Sequence, residues 1–409
     1  MNMNKQTIDD LSLKGKRVLV RVDFNVPLTE DKKVGDDKRI VAALPTIKKV
    51  IQDGGKAILM SHLGRPKGKV KPEFSLEPVS KKLSELLNQP VTFAPDCVGE
   101  KADNIVADMK EGDVVLLENL RFHPEEEGKK DGEKISEQDR QWFIDGLVSH
   151  ADVYIDDAFG TAHRNHASMA GVPRKLGQGA AGYLLQKELD YFSKVFEKPE
   201  KPFLAILGGA KVSDKIQVID NLLDKVDSLM IGGAMAYTFL KAKGIDVGKS
   251  RVEEDYIETA KEYLKKANNK GVTLLLPVDH VVAKEFPSGD TGQGDITSDA
   301  SIASDCMGLD IGPKTIKAYT DLVSQSKTIV WNGPMGVFEV KGFDKGTFDL
   351  AKAIAESSAT SVVGGGDSAS AAKKSGLADQ FSHISTGGGA SLELMEGKEL
   401  PGVTALTEK

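Results

Sequence analysis

The sequence predicts an α/β protein built as two doubly wound (Rossmann-like) parallel-sheet domains joined by an interdomain helix and hinge. Three observations carry that expectation. The chain has 409 residues, too many for one ordinary core when a domain takes roughly 100 to 200. Both halves repeat one plan: a short β-branched or apolar run, a turn with Gly, Asp or Pro, then a segment of helical period, as in successive βαβ units. The chemistry is also divided. Of nine arginines only Arg251 lies beyond residue 182, whereas Gly208-Gly209, Gly232-Gly233, Gly364 to Gly366 and Gly387 to Gly389 all follow residue 200.

In chain order, the first-half strand candidates are RVLVRVDFNV, KAILMS, VTFAP, DVVLLEN and DVYIDDAF. The second-half candidates are FLAILGG, DSLMIGG, VTLLLPV, TIVWNG and TSVVGGG. Between the sets, a glycine-rich stretch opens into a helix from Tyr183 to about Phe196, ending near Pro199 and Pro202. The expected division is a domain of residues 1–181, a helix and hinge over 182–200, a second domain over 201–395, and a segment 396–409 packing back on the first domain.

Hydrophobic residues make up 40% and charged residues 28%, and no run approaches the roughly 20 apolar residues that cross a bilayer. The N-terminus lacks an apolar signal core, so a cytoplasmic protein without a membrane partner is expected. A net charge of -7 speaks against nucleic-acid binding. Cys97 and Cys306 are isolated and lack metal-ligand spacing, so buried free thiols are expected rather than a disulfide or zinc site.

A strand, glycines and a helix start together make an anion site, because glycine admits a close approach and unpaired helix N–H groups face the charge. SVVGGGDSASAAKK has this form and HISTGGGASLELMEG repeats it. Within the first, Asp367 or Ser368 caps the helix, or Asp367 reaches a phosphate-bound magnesium ion. Several such loops in one domain point to a polyphosphate or nucleotide. The Walker A pattern and the protein-kinase H-R-D and D-F-G motifs are absent. GQGAAG, at 177–182, matches G-x-G-x-x-G but follows GVPRKL instead of a buried strand, and reads as a hinge. In LGGAKVSDKI, Lys211 and Lys215 are four residues apart and would share a helix face near an anion.

In the first half, cations and polar groups recur just past strands. Arg21, Asp23 and Asn25 alternate on one side of RVDFNVP; His62 and Arg65 follow AILMS; Arg121 follows VVLLEN; and His163, Arg164 and His166 follow YIDDAF. Ligands of open parallel sheets bind at the carboxyl ends of strands, so these groups converge on one rim suited to a small, highly charged anion. His123 and His150 lack this context and read as surface or packing residues.

RVDFNVP, SHLGRP, LLENLRFHPEEE, DAFGTAHRNHAS, LGGAKVSDKI, IGGAMAYTF, MGLDIGPKT, WNGPMGVFE, GGGDS and STGGGASLELMEG occur in one order over essentially the whole chain, which resembles the phosphoglycerate kinase family. Ala234, Ser368 and Asn165 depart mildly from the family pattern, and none removes a charged group. The resemblance implies reversible phosphoryl transfer between 1,3-bisphosphoglycerate and ADP, giving 3-phosphoglycerate and ATP, by a monomer using Mg2+ as Mg-ADP or Mg-ATP. On the glycerate side it implies Arg21, Asp23, Phe24, Asn25, Arg39, His62, Leu63, Gly64, Arg65, Arg121, Arg164 and His166. On the nucleotide side it implies Gly209, Ala210, Lys211, Lys215, Gly233, Gly308, Asn332, Pro334, Glu339, Gly364, Gly365, Gly366, Asp367 and Ser368, with Asp367 toward the metal. Arg39, Lys211, Gly365 and Gly388 are the expected catalytic donors, acting without a general base during domain closure. A nicotinamide dehydrogenase lacks its fingerprint on a strand, and a non-enzymatic anion binder would not require both half-sites.

Overall fold

The computed structural model describes residues 2–409, which form two compact units: residues up to Asp190 together with Glu399–Lys409, and Tyr191–Lys398. In the first unit, β1 (Arg17–Val22), β2 (Lys56–Met60), β3 (Val91–Ala94), β4 (Val114–Leu117), β5 (Val153–Asp157) and β6 (Ala180–Ala181) pair in parallel in the order β3-β4-β2-β1-β5-β6. The central strands are apolar along most of their length because helices cover both faces of such a sheet. Val18, Val20 and Val22 of β1 pack with Ile40, Ile47 and Val50 of helix α1 (Lys38–Gln52) in one core. The C-terminal residues belong to this unit: Gln6 N–H donates to the Thr407 carbonyl and Thr407 N–H to that of Gly179, each at 2.9 Å.

Helix α2 spans Tyr183–Phe196, and the division between units falls within it. Asp157, the last residue of β5, is buried and accepts hydrogen bonds from Leu184 N–H at 2.9 Å and Leu185 N–H at 3.3 Å, capping the first turn of α2. Burial pushes its carboxyl up to about 7 from 3.8. A raised folded-state value means that the contribution to stability is fully present below the unfolded pKa and is lost as pH rises through about 7. Between about pH 4 and 8, Asp157→Asn should therefore gain on the natural protein by up to about 4 kcal/mol in urea unfolding. Parallel pH profiles for the two proteins would refute this.

The second unit has β7 (Phe203–Leu207), β8 (Ser228–Ile231), β9 (Thr273–Leu275), β10 (Thr328–Asn332), β11 (Thr360–Val363) and β12 (His383–Ile384), all parallel, in the order β9-β8-β7-β10-β11-β12. That is the doubly wound 3-2-1-4-5-6 order, whose crossovers reverse direction between β7 and β10. A three-stranded antiparallel sheet of His280–Ala283, Asp295–Ile296 and Met307–Ile311 is added.

All ten strands anticipated from sequence are present. The edge strand Ala180–Ala181, the antiparallel sheet and a short hairpin of Lys129–Lys130 with Glu133–Lys134 are additions.

Candidate active site

In the first unit the reversal lies between β1 and β5, and the loops after β1, β2 and β4 are tied together there. Phe24 N–H donates to Ser61 Oγ at 2.9 Å, and Gly64 N–H to Asn25 Oδ1 at 2.9 Å. Asn119, wholly buried, accepts from Arg121 N–H at 3.0 Å and Leu63 N–H at 3.2 Å, and its Nδ2 donates to the Leu63 and Phe74 carbonyls at 2.7 and 2.9 Å. Arg121 Nη1 donates to the Gly64 carbonyl at 2.9 Å. These bonds fix the backbone from which the cations project. Asn119 was not singled out from sequence; its signal is a polar residue two positions past the apolar run VVLL, after Glu118.

Arg39, Arg65 and Arg164 are exposed, Arg121 is half-buried, and His62 and His166 are buried. Arg39 stands in the first turn of α1, where its charge opposes the helix dipole, and its Nη1 donates to Asp23 Oδ1 and Oδ2 at 2.9 and 2.7 Å. Arg21 departs from the expected polar row. It is fully buried, with Nε donating to Ser168 Oγ at 3.0 Å, Nη1 to the Val22 carbonyl and Nη2 to His62 Nδ1 at 3.2 Å. The physical reason is a buried acceptor beneath it. Glu126, also fully buried, takes Ser168 Oγ–H at 2.6 Å and Ser168 N–H at 2.9 Å, so Arg21 finds its counter-charge inside, across Ser168.

Because arginine only donates, His62 Nδ1 is the acceptor and the ring proton sits on Nε2. Burial, reinforced by Arg21 and Arg121, holds the His62 pKa well below 6.5, so the ring is neutral near pH 7. Burial also lowers that of His166. Positive charge at the rim is therefore supplied by arginine.

In the second unit, the loops after β7, β10 and β11 meet at the reversal. Gly208 N–H donates to the Asn332 carbonyl at 2.9 Å, and a Cβ on Gly208 would overlap the Pro334 carbonyl. Asn332 braces the group: its Nδ2 donates to the Gly364 carbonyl at 2.9 Å and its Oδ1 accepts from Lys215 Nζ. Helices α4 (Gly366–Lys374) and α5 (Gly389–Met395) begin directly at the two triple-glycine loops, with N-caps Gly365 and Gly388.

Two expectations are corrected. Lys211 and Lys215 do not share a helix face. Lys211 is exposed and outside any helix, because Ser213–Lys215 form a 3-10 turn held by Glu253, whose carboxylate accepts Ser213 N–H at 3.1 Å, and helix α3 (Ile216–Leu223) begins only afterwards. Lys215 is the inward member, and burial lowers its pKa. Neither Asp367 nor Ser368 caps α4. Ser368 Oγ is instead occupied between the loops, accepting Gly333 N–H at 2.6 Å and donating to the Gly364 carbonyl at 3.0 Å.

Asp367 is exposed in the first turn of α4, and among the described residues its carboxylate enters no hydrogen bond or ion pair. A hard oxygen donor beside an anion-binding helix start fits a phosphate-bound magnesium ion. Gly308 lies in the antiparallel sheet, where a side chain would strike the buried Tyr237 hydroxyl; Glu339 is exposed. Gly177 to Gly182 follow a helical segment, Val172–Leu176, not a strand, so they do not form a dinucleotide loop.

One doubly wound unit with an arginine-rich rim and another with glycine loops at its crossover reversal define a class of protein that handles two phosphorylated ligands. The phosphoglycerate kinase family model matches residues 8–398. Curated phosphoglycerate kinases from Clostridium perfringens and Clostridium botulinum are 57% and 56% identical, over the full length of both chains in each case. The solved phosphoglycerate kinases of Coxiella burnetii and Pyrococcus horikoshii superpose with TM-scores of 0.88 and 0.79, at 41% and 34% identity, covering 98% of each chain. The chain belongs to the phosphoglycerate kinase family, and is a phosphotransferase.

Proposed function

We propose that the first unit binds 3-phosphoglycerate or 1,3-bisphosphoglycerate, that the second binds Mg-ADP or Mg-ATP, and that the protein moves one phosphoryl group between them. The observation that supports this division most is the pairing of a cationic rim on one sheet with glycine loops on the other, each at the carboxyl ends of strands where the crossovers reverse.

Asp23 and Asn25 receive the glycerate hydroxyl and carboxyl end, beside the Phe24 and Leu63-Gly64 backbone. Arg65, Arg121, Arg164 and His166 hold its phosphate, with Arg21 acting through His62. On the nucleotide, Gly308 lines the adenine, Glu339 takes the ribose, Gly209, Ala210, Gly233 and Pro334 shape the cleft, and Lys215, Asn332 and Gly364 to Ser368 meet the phosphates. Asp367 would hold Mg2+, which when bound neutralises phosphate oxygens.

Both nucleophiles, a carboxylate and a phosphate oxygen, are already ionised at neutral pH, so no side chain has to remove a proton. The chain's work is alignment and neutralisation of charge on the transferring group, by Arg39, Lys211 and the N–H groups at Gly365 and Gly388. The ligands belong to different units, so transfer requires the units to come together and exclude water. The proposed state is a monomer in the cytoplasm without nucleic-acid or membrane partners; the net charge of -7 supports the exclusion of nucleic acid.

Lys215→Ala should weaken Mg-ADP binding about 10- to 100-fold, the worth of one charged hydrogen bond, and leave 3-phosphoglycerate binding unchanged in calorimetry. Equal weakening of both ligands would contradict the division of roles.

A further inference from the structure

Cys97 and His123 lack metal-ligand spacing in sequence, but the fold brings them together. Strands β3 and β4 are paired edge neighbours, Ala94 opposite Leu117; Asp96 and Cys97 follow the first, and His123 follows the second after the turn Leu120–Phe122. Ligand atoms of Asp96, Cys97 and His123 lie within 4.8 Å of one another. His123 Nε2 is 2.6 Å from Asp96 Oδ1. Cys97 Sγ is buried, 2.9 Å from the Glu118 carbonyl. The imidazole plane is held by stacking on Phe143, with ring centroids 4.8 Å apart.

The other ring nitrogen of His123 supplies a second, independent observation. His123 Nδ1 is 3.9 Å from Glu125 Oε2, a buried oxygen with no hydrogen-bond partner. A histidine with a ligand cluster at one nitrogen and a carboxylate 3.9 Å from the other can adopt the carboxylate–histidine–metal arrangement, in which the outer carboxylate orients the ring, once that gap closes to a hydrogen bond. An Asp–His ion pair alone does not explain the orphaned Glu125 oxygen.

We propose that Asp96, Cys97 and His123 form a binding site for a borderline-soft divalent cation of the Zn2+ type, with Glu125 as the outer carboxylate. Mixed oxygen, sulfur and nitrogen donors select such an ion over Mg2+ or Ca2+. On binding, Cys97 gives its S–H proton to solvent, and a metal–sulfur bond replaces the contact with the Glu118 carbonyl. Tetrahedral bonds of about 2.0 to 2.3 Å need ligand atoms about 3.5 Å apart. The Asp96–His123 pair must open, which rotation of the half-exposed Asp96 side chain allows, and wider pairs must close by about 1 Å from at most 4.8 Å. Three protein ligands leave a fourth position for water. The site is separate from the nucleotide unit and two residues from Arg121 of the rim.

The test is titration of the full-length, nucleotide-free protein with Co2+, followed by absorption, and with Zn2+, followed by calorimetry. One equivalent of Co2+ should produce a thiolate-to-cobalt charge-transfer band that Zn2+ abolishes. Cys97→Ser should remove the band, His123→Asn should weaken Zn2+ binding at least 100-fold, Glu125→Gln about 10- to 100-fold, and Cys306→Ser should change neither. Circular dichroism establishes that each variant is folded; His123, being partly exposed, is the safer substitution if Cys97→Ser unfolds. Absence of a band in the natural protein, its persistence in Cys97→Ser, its loss in Cys306→Ser, or unchanged Zn2+ affinity in folded His123→Asn would each overturn the proposal.

Discussion

Arg39→Ala should lower turnover about 100- to 1000-fold, equivalent to about 3 to 4 kcal/mol of transition-state stabilisation, while changing Mg-nucleotide affinity little. The expectation rests on an exposed guanidinium held from the first turn of α1, where its only ion-pair partner among the described residues is Asp23. An exposed surface ion pair contributes about 1 kcal/mol or less to folding, so its loss should leave the fold intact. A rigid fork that already projects from the rim costs little to reorganise as charge spreads over the transferring phosphoryl oxygens. Steady-state kinetics with separately measured nucleotide binding decides the matter. Equal losses in turnover and nucleotide affinity would make Arg39 a general binding residue instead.

Glycine substitutions in the second unit should separate packing from ligand approach. Gly208→Ala forces a methyl group into the Pro334 carbonyl, backbone against backbone, where neither side can rotate away. It should destabilise the protein by about 3 kcal/mol in denaturant unfolding. Gly366→Ala meets nothing within 4 Å and lies at the first residue of α4, where alanine is the better helix former. Its stability should hold or rise by up to about 1 kcal/mol. The position opens on free space at the helix start, and at the phosphate site proposed there an added methyl group should lower Mg-ADP affinity about 10- to 100-fold. Unchanged affinity in a stable Gly366→Ala protein would remove this loop from the phosphate site.

The contrast between these glycines shows where sequence is informative. Strand, glycine loop and helix start are local features, so TSVVGGGDSASAAKK carries its own structure in its residue order, and ten strands of the two parallel sheets were legible in the same way. Ala180–Ala181 was not, because two residues contain no periodicity; it is a strand only because β5 offers an open edge, whereas His383–Ile384 was marked by the glycines and helix start that follow it. Charges at the rim were legible as a set but not by depth. Arg21 and Arg39 look alike in sequence, yet one reaches Glu126 through Ser168, more than 100 residues away, and the other faces solvent. Lys211 and Lys215 fit a helical spacing that Glu253 overrides by holding a 3-10 turn. Asp96, Cys97 and His123 became neighbours only through the pairing of β3 with β4.

Two ligands on two units is the claim on which the account turns, and release of ADP from Mg-ATP tests it most directly. The rate should be measured with and without 3-phosphoglycerate, in a coupled assay that consumes 1,3-bisphosphoglycerate. Turnover strictly dependent on 3-phosphoglycerate is the expected result. ADP release that is indifferent to 3-phosphoglycerate, or no turnover when both ligands bind, would contradict it.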